Sequence, residues 1–98
     1  MAVKIAKKVK KASEVFPIGS AVFIRTITTY FVGRIAARVD GFILLNDAAW
    51  IADTGRFNEA MSTGIFNEVE PYAKPVWVSI AAIIDVSEYA GTLPLGVK

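Results

Sequence analysis

Cysteine and histidine are both absent from this chain of 98 residues, and their absence removes whole categories of chemistry. There is no disulfide framework, no thiolate nucleophile, no Cys/His zinc site and no histidine general base. Long apolar runs are missing as well. A membrane span needs about 18 to 20 consecutive apolar residues, and the runs at 42–45, 76–78 and 80–84 are far shorter. The lysine-rich start lacks an apolar stretch of about 7–15 residues ahead of a small-residue cleavage site. No secretory signal is therefore expected, and the cytoplasm is the expected compartment. Phosphate-binding glycine loops and nucleophile elbows do not occur. The carboxylates are scattered: Glu68 and Glu70 share one strand face, while Asp40, Asp47 and Asp53 sit near turns and strand ends. Such isolated groups read as solvated or salt-bridged surface rather than as a metal site or an acid/base pair. The expectation is a protein without catalytic residues, metal or cofactor.

What is present is apolar mass and an uneven charge. A chain of this length makes one domain that buries roughly 65% of its unfolded surface. Its hydrophobic fraction of 54% exceeds the ~45–50% of ordinary globular chains, and the excess is assigned to subunit contacts. Five of the eleven basic residues are Lys4, Lys7, Lys8, Lys10 and Lys11, so residues 12–98 carry six basic against nine acidic groups, a net of −3. Ala2, Ile5, Ala6, Val9 and Ala12 recur at helical spacing with Lys4, Lys7, Lys8 and Lys11 opposite. That pattern predicts a basic amphipathic helix over 1–16, stopped by Pro17.

From Ile18 the period becomes that of strands. Alternating, β-branched and aromatic residues predict a first strand near 19–26, a turn at 27–29 and a second strand to Val39 with an apolar and a basic side. Gly33 in mid-strand predicts a sharp bend. Asp40-Gly41 is a hairpin turn signal, followed by a third strand over 42–52. An insertion at 53–68 holds a short helix capped by Asp53 or Thr54 and ended by Gly64. A fourth strand over 69–79 carries Pro71 and Pro75 at an edge or bulge, a fifth covers 82–86, and residues 88–98 form an irregular, mobile tail.

The stretch Val32-Gly-Arg-Ile-Ala-Ala-Arg-Val-Asp-Gly-Phe-Ile-Leu-Leu-Asn-Asp-Ala48, echoed by Val76-Trp-Val-Ser-Ile-Ala-Ala-Ile-Ile-Asp-Val86, resembles the Sm-like family of Sm, Lsm and Hfq-type ring proteins. Gly33, Asp40-Gly41, the apolar run and Asp47-Ala48 carry the likeness, which spans 18–86. It implies a mainly β fold: an N-terminal α-helix and a five-stranded, strongly bent antiparallel small β-barrel over 18–87. It also implies a cyclic homo-oligomer of five to seven subunits, with Trp77, Val78, Ile83 and Ile84 at the seam. In that family two loops line the pore and hold single-stranded RNA, which places Asp40, Gly41 and Phe42 in one loop and Ser79 and Ile80 in the other. Lys4, Lys7, Lys8 and Lys11 form either an electrostatic face for phosphates or a solubilising surface helix. Ser79-Ile80 stands where the family has Arg-Gly or Lys-His, a replacement that fits a phage or other mobile-element gene.

Two functions from different classes remain open on these residues. One is an RNA-binding ring; the other is a structural or adaptor ring that has lost the nucleic-acid site. Phe42 is either a packing aromatic, the favoured reading, or a base-stacking platform. Trp50, Trp77, Phe57 and Phe66 read as core or subunit contacts. Arg25, Arg34 and Arg38 form either a solvated face or a nucleic-acid track. Membrane attachment is disfavoured, because the basic helix has no Trp, Phe or Leu.

Overall fold

A computed structural model describes residues 16–96; the helix expected over 1–16, with Lys4, Lys7, Lys8 and Lys11, lies outside the described residues apart from Phe16. The fold is mainly β. Its elements are β1 (Ala21–Thr26), β2 (Tyr30–Val39), β3 (Phe42–Asp53), α1 (Phe57–Thr63), β4 (Glu68–Pro71), β5 (Val76–Ser79), a 3-10 turn at Ile80–Ala82 and β6 (Ile83–Glu88). All strands join one antiparallel sheet in the order β4-β3-β2-β1-β6, and β5 pairs with β3 off that path. Thr26 shapes the β1–β2 turn by donating its hydroxyl to the Thr29 carbonyl at 2.7 Å and accepting the Thr29 N–H at 3.0 Å.

Two expectations about this sheet are corrected. The expected fourth strand over 69–79 is two strands, so the sheet has six. Pro71 and Pro75 bracket the interruption, and neither has an N–H for a ladder. Nor is the sheet a closed barrel: among the described residues β6 pairs only with β1, while β4 and β5 pair only with β3. The 3-10 turn carries the chain from β5 to β6 around a corner. The gap there is filled by Val78, Ile80, Ile83 and Val86, which pack in one apolar cluster instead of a hydrogen-bonded seam.

A β-bulge of the β2–β3 ladder falls at Gly33, and the register shifts again between Ile35 and Ala37. Val32 pairs with Ala49 but Arg34 pairs with Asn46, so Asp47 and Ala48 together oppose one glycine. Asp47 takes φ 49° at this bulge. A Cβ on Gly33 would lie 3.1 Å from the Leu45 Cβ and 3.2 Å from the Ala48 Cβ. The glycine is thus required by close approach of β3, not by an unusual φ of its own. The bend divides β3 between two partners: β5 ladders on 42–45 and β4 on 49–53.

Because the sheet bends, both of its faces find cover and β1 is buried on both sides. Phe23, Val32, Ala49, Ile51, Phe66, Val69 and Tyr89 form one cluster, closed by Ala60 of α1. Val22, Ile24, Ile35, Ile43, Leu45, Ala48 and Val78 form the other. Part of the apolar excess assigned to subunit contacts is therefore internal. Gly64 ends α1 at φ 80° as its position predicts, but the N-cap is Arg56. Asp53 instead accepts the Gly55 N–H at 2.9 Å, forming the turn that precedes the helix. The tail is irregular but packed: Tyr89 is buried, its hydroxyl donates to the Thr92 carbonyl at 2.6 Å, and Leu93 lies against the first cluster.

Candidate functional site

The two segments that the Sm-like resemblance places together do meet in space. Asp40-Gly41 forms a two-residue turn between β2 and β3, with Val39 opposite Phe42. Phe42 is in turn the register partner of Ser79, and the Ile80 N–H donates to the Gly41 carbonyl at 2.9 Å. Asp40, Gly41, Phe42, Ser79 and Ile80 thus share one corner, held by backbone bonds that do not depend on side-chain identity.

Alternation along the strands sorts the side chains at this corner. Ile43 and Val78 are register partners that point inward and are buried. Their neighbours point outward: Phe42 is 45% exposed and Trp77 51%, and Val39 across the turn is 53% exposed. Leu44 pairs with Trp77 on one side and with Ala37 on the other. The outer face of β2, β3 and β5 is therefore a continuous apolar patch with Trp77 and Phe42 at its centre. Of the four seam residues, Trp77 and Ile84 are exposed, while Val78 is core and Ile83 packs against the same cluster. Ile84 turns outward at a register shift, where Arg25 pairs with Asp85 and Thr26 with Ile83. Sequence reasoning did not find Val39 and Leu44. The run of four apolar residues at 42–45 contains no polar residue to mark which side faces out.

Residues 16–96 carry five basic and eight acidic groups, and the charged group at the turn is Asp40. The three strand arginines are engaged in the fold. Arg25 donates Nε to Asp85 at 2.9 Å and pairs with it through Nη2. That hydrogen bond, with the carboxylate charge, raises the guanidinium pKa further above its ordinary value. Arg34 donates to the Gly19 carbonyl at 3.0 Å, and Arg38 to the Phe16 carbonyl. Each ties β1, β2 or the entry segment to a neighbour. Lys4, Lys7, Lys8 and Lys11 lie outside the described residues.

The remaining aromatics divide. Phe66 is buried as expected, whereas Trp50 and Phe57 are exposed. Phe31 stacks on Tyr72 at 6.1 Å, and burial raises the Tyr72 phenol pKa. Glu68 and Glu70 project outward from β4 on either side of buried Val69. Among the described residues no three carboxylates gather into a metal-binding group, and no helix is long and apolar enough to cross a membrane. The corner presents an apolar face, and among the described residues β5 and β6 each have one edge without a ladder partner. In comparisons with known proteins, no family model, no curated protein and no solved structure matches this chain.

Proposed function

We propose that this protein is a structural or adaptor subunit that assembles with copies of itself, in the manner of an Sm-like homo-oligomeric ring. The observation that carries this reading is the apolar face on which Val39, Phe42 and Trp77 are exposed beside half-buried Leu44. Contiguous apolar surface on a small domain marks an interaction site. That face borders β5, whose second edge has no ladder partner among the described residues, as is also true of β6. An unpaired edge is a template for another strand, and natural proteins that remain monomeric block such edges with lysine or proline. Here β5 reads Val-Trp-Val-Ser, and Lys74-Pro75 lies before the strand rather than within it.

A second reading, single-stranded RNA binding, is favoured by one observation: Phe42 is exposed beside Ser79 and Ile80 at the corner. The strand arginines engaged within the fold favour the first. Sedimentation velocity on the full chain and on Trp77→Lys separates them. Assembly through this face predicts an oligomer that Trp77→Lys dissociates without loss of far-UV circular dichroism. An oligomer of unchanged mass in the variant would remove the patch from the interface.

A further inference from the structure

The sheet face that holds the second cluster continues beyond it. Phe31 packs against the margin of that cluster, and the register carries the same face sideways from Phe31 through Trp50 to Glu70. Tyr72 stacks on Phe31. Trp50 is 39% exposed and Tyr72 40%, so two large aromatic side chains lie open to solvent there. Glu70 and Glu68 stand exposed beside them on β4, and Asp53 is the register partner of Glu68. Among the described residues neither glutamate has an ion-pair partner. An aromatic face bordered by carboxylates repels anions and attracts cations. Lysine suits it best, because its methylenes lie along a ring while the ammonium meets a ring face or a carboxylate.

We infer that residues 4–11 of the same chain dock on this face of Trp50, Tyr72, Glu68 and Glu70. That segment holds Lys4, Lys7, Lys8, Lys10 and Lys11; with Glu14, residues 1–15 carry a net of 5 − 1 = +4, against 5 − 8 = −3 for residues 16–96. The segment joins the fold on the correct side. Phe16 packs against the second cluster, and its carbonyl accepts from Arg38, the register partner of Ile43. Trp50 lies seven positions from Ile43 along β3, about 23 Å at a strand rise of about 3.3 Å per residue. Lys11 and Lys4 are five and twelve residues from Phe16, an extended reach of about 17 to 40 Å. Tethering decides between this occupant and a foreign basic peptide. A short linker holds the lysines near the face at an effective concentration of about millimolar, which a free peptide must exceed to displace them.

This face shares no residue with Val39, Phe42, Leu44 and Trp77, so its test is independent of assembly. Zero-length carbodiimide coupling joins a lysine amine to a carboxylate only where the two are in contact, and it is applied to the full chain. Isotope-labelled and unlabelled protein are mixed in urea and refolded together, which separates links within one chain from links between copies. Peptide mass mapping is expected to find lysines of residues 4–11 joined to Glu68 or Glu70 within one chain. The yield falls severalfold at about 1 M salt, where the screening length shortens to about 3 Å. A second readout uses Trp77→Phe, which leaves Trp50 as the sole tryptophan. Acrylamide quenching of Trp50 rises when the five lysines become glutamine, and rises equally in Glu68→Gln/Glu70→Gln, which keeps the shape of β4. Circular dichroism confirms that each variant is folded. Any of three results overturns the inference: no link to either glutamate, links only between labelled and unlabelled chains, or quenching of Trp50 that neither set of substitutions changes.

Discussion

Replacing Gly33 by alanine adds one methyl group at the inside of the bend. Its carbon would lie 3.1 Å from the Leu45 Cβ, 3.2 Å from the Ala48 Cβ and 3.3 Å from the Ala48 Cα. Carbon pairs are comfortable at about 3.5–4.0 Å, so β3 has to retreat by several tenths of an ångström where it is pinned by ladder bonds on both sides of the bulge. Overpacking of this kind costs about 1–3 kcal/mol, and the lower entropy of the unfolded alanine chain returns about 0.4–1 kcal/mol. The net destabilisation is about 1–2 kcal/mol, a fall in Tm of about 5–15 °C for a domain of this size. Gly33→Val adds two more methyls to the same contact and costs about 3 kcal/mol or more. Urea unfolding followed by circular dichroism reads both, provided that m is unchanged and all proteins are compared at one concentration, since assembly adds to apparent stability. Gly96→Ala is the control, because nothing lies within 4 Å of a Cβ there. A Gly33→Val protein with the midpoint of the parent would show that β2 and β3 do not meet at this position.

Gly64→Ala combines φ 80° with a Cβ 2.6 Å from the Thr92 backbone and 2.7 Å from the Tyr89 hydroxyl, and is expected to cost about 3 kcal/mol or more in the same assay. Burial raises the phenol pKa of Tyr89, so this residue's contribution is fully present below the ordinary phenol value of about 10 and is lost as pH rises through the higher folded value. Tyr89→Phe removes that alkaline decline while costing about 1 kcal/mol at neutral pH through the lost bond to Thr92, which urea midpoints at the two pH values detect. Fluorescence anisotropy with oligo-uridine at about 50 mM salt shows no binding that depends on Phe42 if the corner is an assembly surface, and Phe42→Ala leaves the trace unchanged. Tight binding lost in Phe42→Ala would instead support the RNA reading.

Local signals in this chain were reliable where the physics is local. Asp40-Gly41 marks the hairpin, Gly64 the end of α1, and Gly33 the position of a bulge, each within the span of one turn or one bulge. The strands were legible because β-branched and aromatic residues dominate them. What failed depended on partners far along the chain. Arg25 reads as part of a solvated face or a nucleic-acid track and is exposed, but its pairing with Asp85, 60 residues away, is not legible in the sequence. Residues 90–98 read as mobile, yet Leu93 packs against a cluster built by residues from 23 to 89. The sidedness of 42–45 was hidden for a related reason. This sheet buries apolar residues on both faces, so an apolar residue in a strand does not reveal which side lacks a cover. Only the positions of β5 and the first cluster show that Phe42, Leu44 and Trp77 face away from both cores.

Native mass spectrometry of the full chain at low micromolar concentration addresses the central claim most directly. If the protein assembles as proposed through its Phe42–Trp77 face and the β5 and β6 edges that have no ladder partner among the described residues, the spectrum shows a single closed species of five to seven copies that Trp77→Lys converts to monomer. A spectrum containing only monomer for the unmodified chain would contradict the claim.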